Sequence, residues 1–74
     1  IKVYGADWCS DCITVKIFLT SINKEFEYID ITNNENAISF VENVNHGRRV
    51  IPTIEINGDI YINPPINELM KIIT

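Results

Sequence analysis

The hydrophobic period of this chain switches from strand-like to helical and back within its N-terminal part, and that switch constrains the fold most. Ile1-Lys2-Val3-Tyr4 alternates as a strand does. Gly5 to Trp8 reads as a loop, and a helix follows from about Cys9. Val15, Phe18, Leu19 and Ile22 recur at helical spacing, with Ile13 and Ile17 widening the stripe. Phe26-Glu27-Tyr28-Ile29-Asp30 alternates again. A strand, a helix and a strand in this order form a right-handed crossover, which makes the two strands parallel.

The rest of the chain extends that unit. Asn33 or Asn34 can cap a second helix, in which Ala37, Val41 and Val44 share a face with Ile38 and Phe40 beside it. Gly47, just after Asn45-His46, fits its C-terminal stop. Thr53 to Ile56 and Asp59 to Ile62 flank Asn57-Gly58, a strong hairpin signal that makes these strands antiparallel. Ile54, Ile56, Ile60 and Ile62 are expected on one face. Asn63-Pro64-Pro65 opens a last helix, with Ile66, Leu69, Met70 and Ile73 at i, i+3, i+4 and i+7. The order β-α-β-α-β-β-α predicts an α/β fold, a four-stranded mixed sheet with three helices placed on both faces.

Seventy-four residues, 46% of them hydrophobic, suffice for one domain spanning 1–74. The formal charge of −4 argues against nucleic acid and anionic membranes as partners, since both need a basic face. No apolar run approaches the roughly 20 residues that span a bilayer, and no secretory signal is visible. The chain starts at Ile1 without a methionine, which leaves room for a trimmed N-terminus and a lost targeting segment. A monomer in the cytoplasm is expected.

Cys9 and Cys12, in Trp8-Cys9-Ser10-Asp11-Cys12, are the only cysteines and lie on the first strand-to-helix corner. A Cys-x-x-Cys pair there reads as a thiol–disulfide centre. The first N–H groups of a helix lack intrahelical partners and carry partial positive charge, so a thiolate at the tip is stabilised and becomes nucleophilic near neutral pH. Asp7 and Asp11 oppose that effect as like charges. Cys12, three residues before Val15, leans toward the buried face, whereas Cys9 stays at the tip. A purely structural bridge would close a tiny loop of little stabilising value. A zinc or iron–sulfur module would need more ligands than two cysteines and His46 supply within one chain. His46 reads as a loop or helix-end residue, because a helix-tip thiolate needs no base. Tyr4, Tyr28 and Tyr61 read as sheet-packing residues.

Taken together, the element order, the Trp8-to-Cys12 motif and Gly47-Arg48-Arg49-Val50-Ile51-Pro52-Thr53 resemble the glutaredoxin branch of the thioredoxin superfamily over nearly the whole chain. The resemblance implies a thioredoxin-like fold and a thiol–disulfide oxidoreductase. Cys9 would be the attacking and Cys12 the resolving cysteine. Pro52 would be cis and lie against the pair. The backbone of Ile51, after Val50, would then bind the substrate's peptide-like part by strand-type hydrogen bonds. Arg48 occupies the place of a basic residue that pairs with a glutathione carboxylate. Trp8 could offer substrate a flat face.

The chain departs from that pattern at Ala6 for a lysine, at Ser10-Asp11 for Pro-Tyr, and at Asn63-Pro64-Pro65-Ile66-Asn67 for a Gly-Gly and acidic residues. Its Trp-Cys start and its Asn63-Pro64 are more similar to the mycoredoxin-like members, which use another small thiol. The expected substrate-binding set is Trp8, Arg48, Val50, Ile51, Pro52 and Asn63, with no metal and no bound cofactor. Glutathione or an analogue is the expected reductant, and protein disulfides or small-thiol mixed disulfides the substrates. The alternative is a dedicated electron donor recharged by a flavoprotein reductase.

Overall fold

The computed structural model describes residues 1–73; Thr74, the last residue of the expected domain, lies outside the described residues. The elements are β1 (Lys2–Gly5), α1 (Ser10–Ser21), β2 (Glu27–Asp30), α2 (Glu35–Val44), β3 (Thr53–Ile56), β4 (Asp59–Ile62) and α3 (Ile66–Ile73). They form a four-stranded sheet in the order β2-β1-β3-β4. β1 pairs with β2 in parallel and with β3 antiparallel, and β3 pairs antiparallel with β4. The expected mixed sheet and element order are therefore present.

Alternation along β1 distributes the helices. Val3 points into a cluster with Val15 and Leu19 of α1, Ile54 and Ile56 of β3, and Leu69 of α3. Tyr4, its neighbour, points the other way and packs with Ile31, Ala37 and Val41, the last two on α2. The Tyr4 ring stacks on Phe40 with centroids 4.7 Å apart. Two helices thus cover one face and one helix the other, as a strand whose successive residues are buried on opposite faces demands. Truncating a sealed side chain such as Leu19, which is 0% exposed, would cost about 2–5 kcal/mol in lost transfer energy and cavity.

Local chemistry sets the turns. Asn57 and Gly58 have φ of 52° and 88°, the two left-handed residues that a type I′ hairpin needs. Asn34, not Asn33, caps α2: its Oδ1 accepts the Ala37 N–H at 3.1 Å. Past the end of α2, Gly47 at φ 89° donates its N–H to the Glu42 carbonyl at 2.7 Å.

Several boundaries and faces differ from the sequence reading. β1 takes in Gly5, and Phe26 packs against the core from outside β2. Ile13, Ile17 and Ile22 are 42%, 64% and 41% exposed, so they do not widen the buried stripe of α1. Ile13 and Ile17 sit two residues either side of Val15, roughly 160° around the helix from it, and only the Cys12-Val15-Leu19 line meets the sheet. Ile60 and Ile62 do not share a face with Ile54 and Ile56. The two-residue turn sets Ile54 opposite Tyr61 and Glu55 opposite Ile60, and residues directly opposite share a face. α3 begins at Ile66, where the Pro65 carbonyl accepts the Leu69 N–H at 2.9 Å. Leu69 is its one fully buried residue, while Met70 is 48% exposed.

Candidate active site

The corner between β1 and α1 builds the site. After the buried Gly5 and Ala6, the Cys9 N–H donates to the Ala6 carbonyl at 3.1 Å and turns the chain. Cys9 then takes extended dihedrals (φ −97°, ψ 110°) and becomes the N-cap of α1. Its carbonyl accepts the Ile13 N–H at 3.1 Å, the first helical bond. Its Sγ accepts the Cys12 N–H, also at 3.1 Å. A sulfur here stands where an Asn, Asp or Ser oxygen usually stands, satisfying a helix N–H that would otherwise lack a partner. The same N–H and the helix dipole stabilise a negative charge on that sulfur.

Cys9 and Cys12 are joined as a disulfide with Cα atoms 5.2 Å apart. Their exposures differ. Cys9 is half-buried at the tip, while Cys12 is 0% exposed within the buried line of α1. Trp8, beside the tip, is 75% exposed and Asp11 is exposed in the first helical turn.

The loop before β3 reaches the same end of the sheet. Tyr4 pairs with Thr53 across β1 and β3, and the same register carried one residue on sets Pro52 opposite Gly5. The Ile51–Pro52 peptide bond is cis, as the resemblance implies. Pro52 is buried, and its carbonyl accepts the Asn63 N–H at 2.8 Å, so these two candidate residues meet. Val50 and Ile51 are half-buried, and Arg48 is exposed. Arg49, by contrast, is drawn aside to Glu42 of α2 at 3.2 Å.

Sequence reasoning missed what anchors this loop. Thr53 is 0% exposed, and its hydroxyl donates to the Val50 carbonyl at 2.8 Å. The same oxygen accepts from Asn45 Nδ2 at 3.5 Å, and that amide also donates to the Val41 carbonyl at 3.0 Å. The segment from Val50 to Thr53 is thereby tied to the end of α2. The available signal was a hydroxyl residue opening a strand right after a proline. His46 sits exposed at the end of α2 with φ 55°, consistent with a helix-end role.

Gly5 and Tyr28 were also overlooked as site residues. A Cβ built on Gly5 would lie 2.7 Å from the Tyr28 hydroxyl and 2.8 Å from Cys12 Sγ. Gly5 is required there for space. The Tyr28 ring packs against the core, as expected, with Lys16 Nζ 4.1 Å above it. Burial pushes its phenol above the ordinary value, with Asp7 and Asp30 adding to the rise. The Tyr4 phenol is raised as well, mainly by burial. Asp30 is held below the usual carboxylate range because its Oδ1 accepts the Thr32 N–H at 2.8 Å.

Fold and corner together define a thioredoxin-like dithiol protein. The glutaredoxin family matches residues 1–61. A provisional glutaredoxin of Mycobacterium tuberculosis is 33% identical over 70 residues, 93% of this chain and 83% of that protein. Mycoredoxin 1 of Corynebacterium glutamicum is 29% identical over 66 residues, 89% of this chain and 81% of its own length. Among solved structures, the thioredoxin-like protein BC3987 superposes with a TM-score of 0.81 at 26% identity, over 95% of this chain and 94% of that one. The glutaredoxin of Archaeoglobus fulgidus shares the fold, with a TM-score of 0.78 over 97% of this chain and 83% of that one. The chain belongs to the glutaredoxin family. It is a thiol–disulfide oxidoreductase, and Cys9 and Cys12 stand in Cys-x-x-Cys spacing. No helix among the described residues is long and apolar enough to cross a membrane.

Proposed function

We propose that Cys9 is the attacking and Cys12 the resolving cysteine of a reductase for mixed disulfides, with a low-molecular-weight thiol as the final electron source. One observation carries the assignment: the half-exposed Cys9 Sγ caps α1 and accepts the Cys12 N–H, while Cys12 is sealed. The Cys9 thiolate attacks one sulfur of a substrate R–S–S–R′, forming Cys9–S–S–R as the R–S–S–R′ bond breaks. The electron pair leaves on R′–S⁻, which takes a proton from water. Either Cys12 attacks Cys9 Sγ, forming the Cys9–Cys12 disulfide and expelling R–S⁻, and two external thiols then reduce that disulfide as they are oxidised to their own; or one external thiol attacks the R sulfur, taking R into a new disulfide and freeing the Cys9 thiolate.

On the substrate side, the Ile51 backbone after Val50 would pair with the substrate as a strand does, beside Pro52 and the Asn63 bonded to it. Arg48, free of the Glu42 contact that holds Arg49, would take a carboxylate of the thiol. Trp8 would cover the reacting sulfurs. The glutathione analogue named by the mycoredoxin likeness, mycothiol, fits this reading alongside glutathione itself. Residues 1–74 would work as a single-domain monomer in the cytoplasm, where a reversible dithiol is usually catalytic.

The test compares wild type, Cys9→Ser and Cys12→Ser on mixed disulfides of several small thiols, with each thiol and then a flavoprotein reductase as electron source. Cys9→Ser should fall to the uncatalysed background on every substrate, and Cys12→Ser should keep part of the mixed-disulfide activity. Equal rates for Cys9→Ser and wild type would overturn the roles. Turnover driven only by the reductase would replace the small thiol with a dedicated donor pathway.

A further inference from the structure

We propose that the Tyr28 hydroxyl donates a hydrogen bond to Cys12 Sγ in the reduced protein and so stabilises the resolving thiolate. This rests on the reading of Cys12 as the resolving cysteine.

Among the described residues, the Tyr28 hydroxyl is the one buried side-chain nitrogen or oxygen without a hydrogen-bond partner. A buried hydroxyl left unmatched carries an uncompensated desolvation cost, and phenylalanine would fill the same space without it. The hydroxyl shares the space beside Gly5 with Cys12 Sγ. It and Cys12 Sγ flank the bare Cα of Gly5, at 2.7 and 2.8 Å from the point where a side chain would begin. The two atoms are separated by no more than the sum of those lengths. A disulfide sulfur is a weak acceptor, so the oxidised protein leaves the phenol unmatched. Reduction converts its neighbour into a thiol, and ionisation converts that into a strong anionic acceptor. The pairing therefore becomes favourable when Cys12 must act.

The surroundings keep the phenol a donor. Lys16 of α1 lies over the ring face, Asp30 of β2 and Asp7 of the corner lie near the hydroxyl, and burial itself favours the neutral form. Tyr28 keeps its proton throughout. In the resolving step the Cys12 thiolate attacks Cys9 Sγ in Cys9–S–S–R. The Cys9–Cys12 bond forms, the bond to R–S breaks with its electron pair on R–S⁻, and the proton that Cys12 gave to solvent is matched by one that R–S⁻ takes up.

A single-turnover reaction of the fully reduced protein with a chromogenic aromatic disulfide separates the two sulfurs. The first release of coloured thiol reports Cys9, and the second reports Cys12 closing on it. A charge-assisted hydrogen bond amounts to about a tenfold change in an equilibrium. Tyr28→Phe should leave the first phase unchanged and slow the second about tenfold near neutral pH. The pH midpoint of the second phase should move up by about one unit. Replacing Tyr28 by 3-fluorotyrosine, whose hydroxyl is a stronger donor of nearly the same shape, should leave the second phase as fast or faster. Slowing of both phases together in Tyr28→Phe, or no change in either, would overturn the proposal. A wild-type protein with no second phase would remove the resolving role of Cys12 and this inference with it, whereas a normal wild-type second phase that Tyr28→Phe leaves intact removes only the inference.

Discussion

At one end of the sheet the chain reverses through Asn57-Gly58 and leaves α1 through Asn23; at the other it passes through Cys9, Pro52 and Asn63. Both ends use unusual backbone, since Asn23, Asn57, Gly58 and Asn63 all have positive φ. At the hairpin end these conformations only reverse the chain, and a Cβ on Gly58 would meet nothing within 4 Å. At the cysteine end, tight geometry brings together groups from β1, β2, α1 and the loop before β3. There a Cβ on Gly5 would strike both Tyr28 and Cys12. One end tolerates change at the cost of stability alone, and the other couples stability to chemistry.

Gly5→Ala is the sharpest way to probe that difference and has the largest expected effect. Its Cβ would approach two side-chain atoms inside 3.0 Å, so Cys12 or Tyr28 must move, at about 1–3 kcal/mol for overpacking. Thermal melts should record the loss, and disulfide-reduction assays should show a fall in turnover beyond what unfolding explains. Full activity in the folded fraction would break the coupling between the two. Gly58→Ala should cost about 1–2 kcal/mol, because alanine resists the left-handed conformation that Gly58 holds at φ 88°. Its activity per folded molecule should match wild type; a loss there would show that the hairpin end also shapes the site.

The smallest expected effect is electrostatic. The folded-state pKa of Asp30 lies below its unfolded value, so its contribution is present above the unfolded pKa and lost as pH falls through the folded one. Asp30→Ala should flatten stability slightly across that acidic window and leave it unaltered in shape near neutrality. The tyrosines have the opposite sign. Raised Tyr28 and Tyr4 phenols favour the fold below their unfolded pKa and cease to do so as pH climbs through the folded values.

Local signals account for what was legible. The strand, helix and hairpin order follows from period, caps and turn residues, each of which acts within a few neighbours: Asn34 caps α2, Asn57-Gly58 reverses β3 into β4, and Cys9 falls at the tip of α1. The Cys-x-x-Cys pair was legible for the same reason, since one helical turn sets both sulfurs. Side-chain faces were less so. Ile13, Ile17, Ile60 and Ile62 are as apolar as their buried neighbours, and only contact with the sheet or the hairpin register separates the two groups.

Spacing along a single segment was enough to give the elements, the place of the cysteine pair and the residue types able to serve it. Folding was needed before Gly5 could be seen to clear the space beside Tyr28 and Cys12, Thr53 and Asn45 to hold the loop ahead of β3, and Asn63 to close on Pro52. Apart from the local Thr53-to-Val50 bond, those partners come from different segments of the chain. Nothing in their local pattern names the residue across from them; the sheet order and strand register do, and these emerge only when separate apolar faces are buried together.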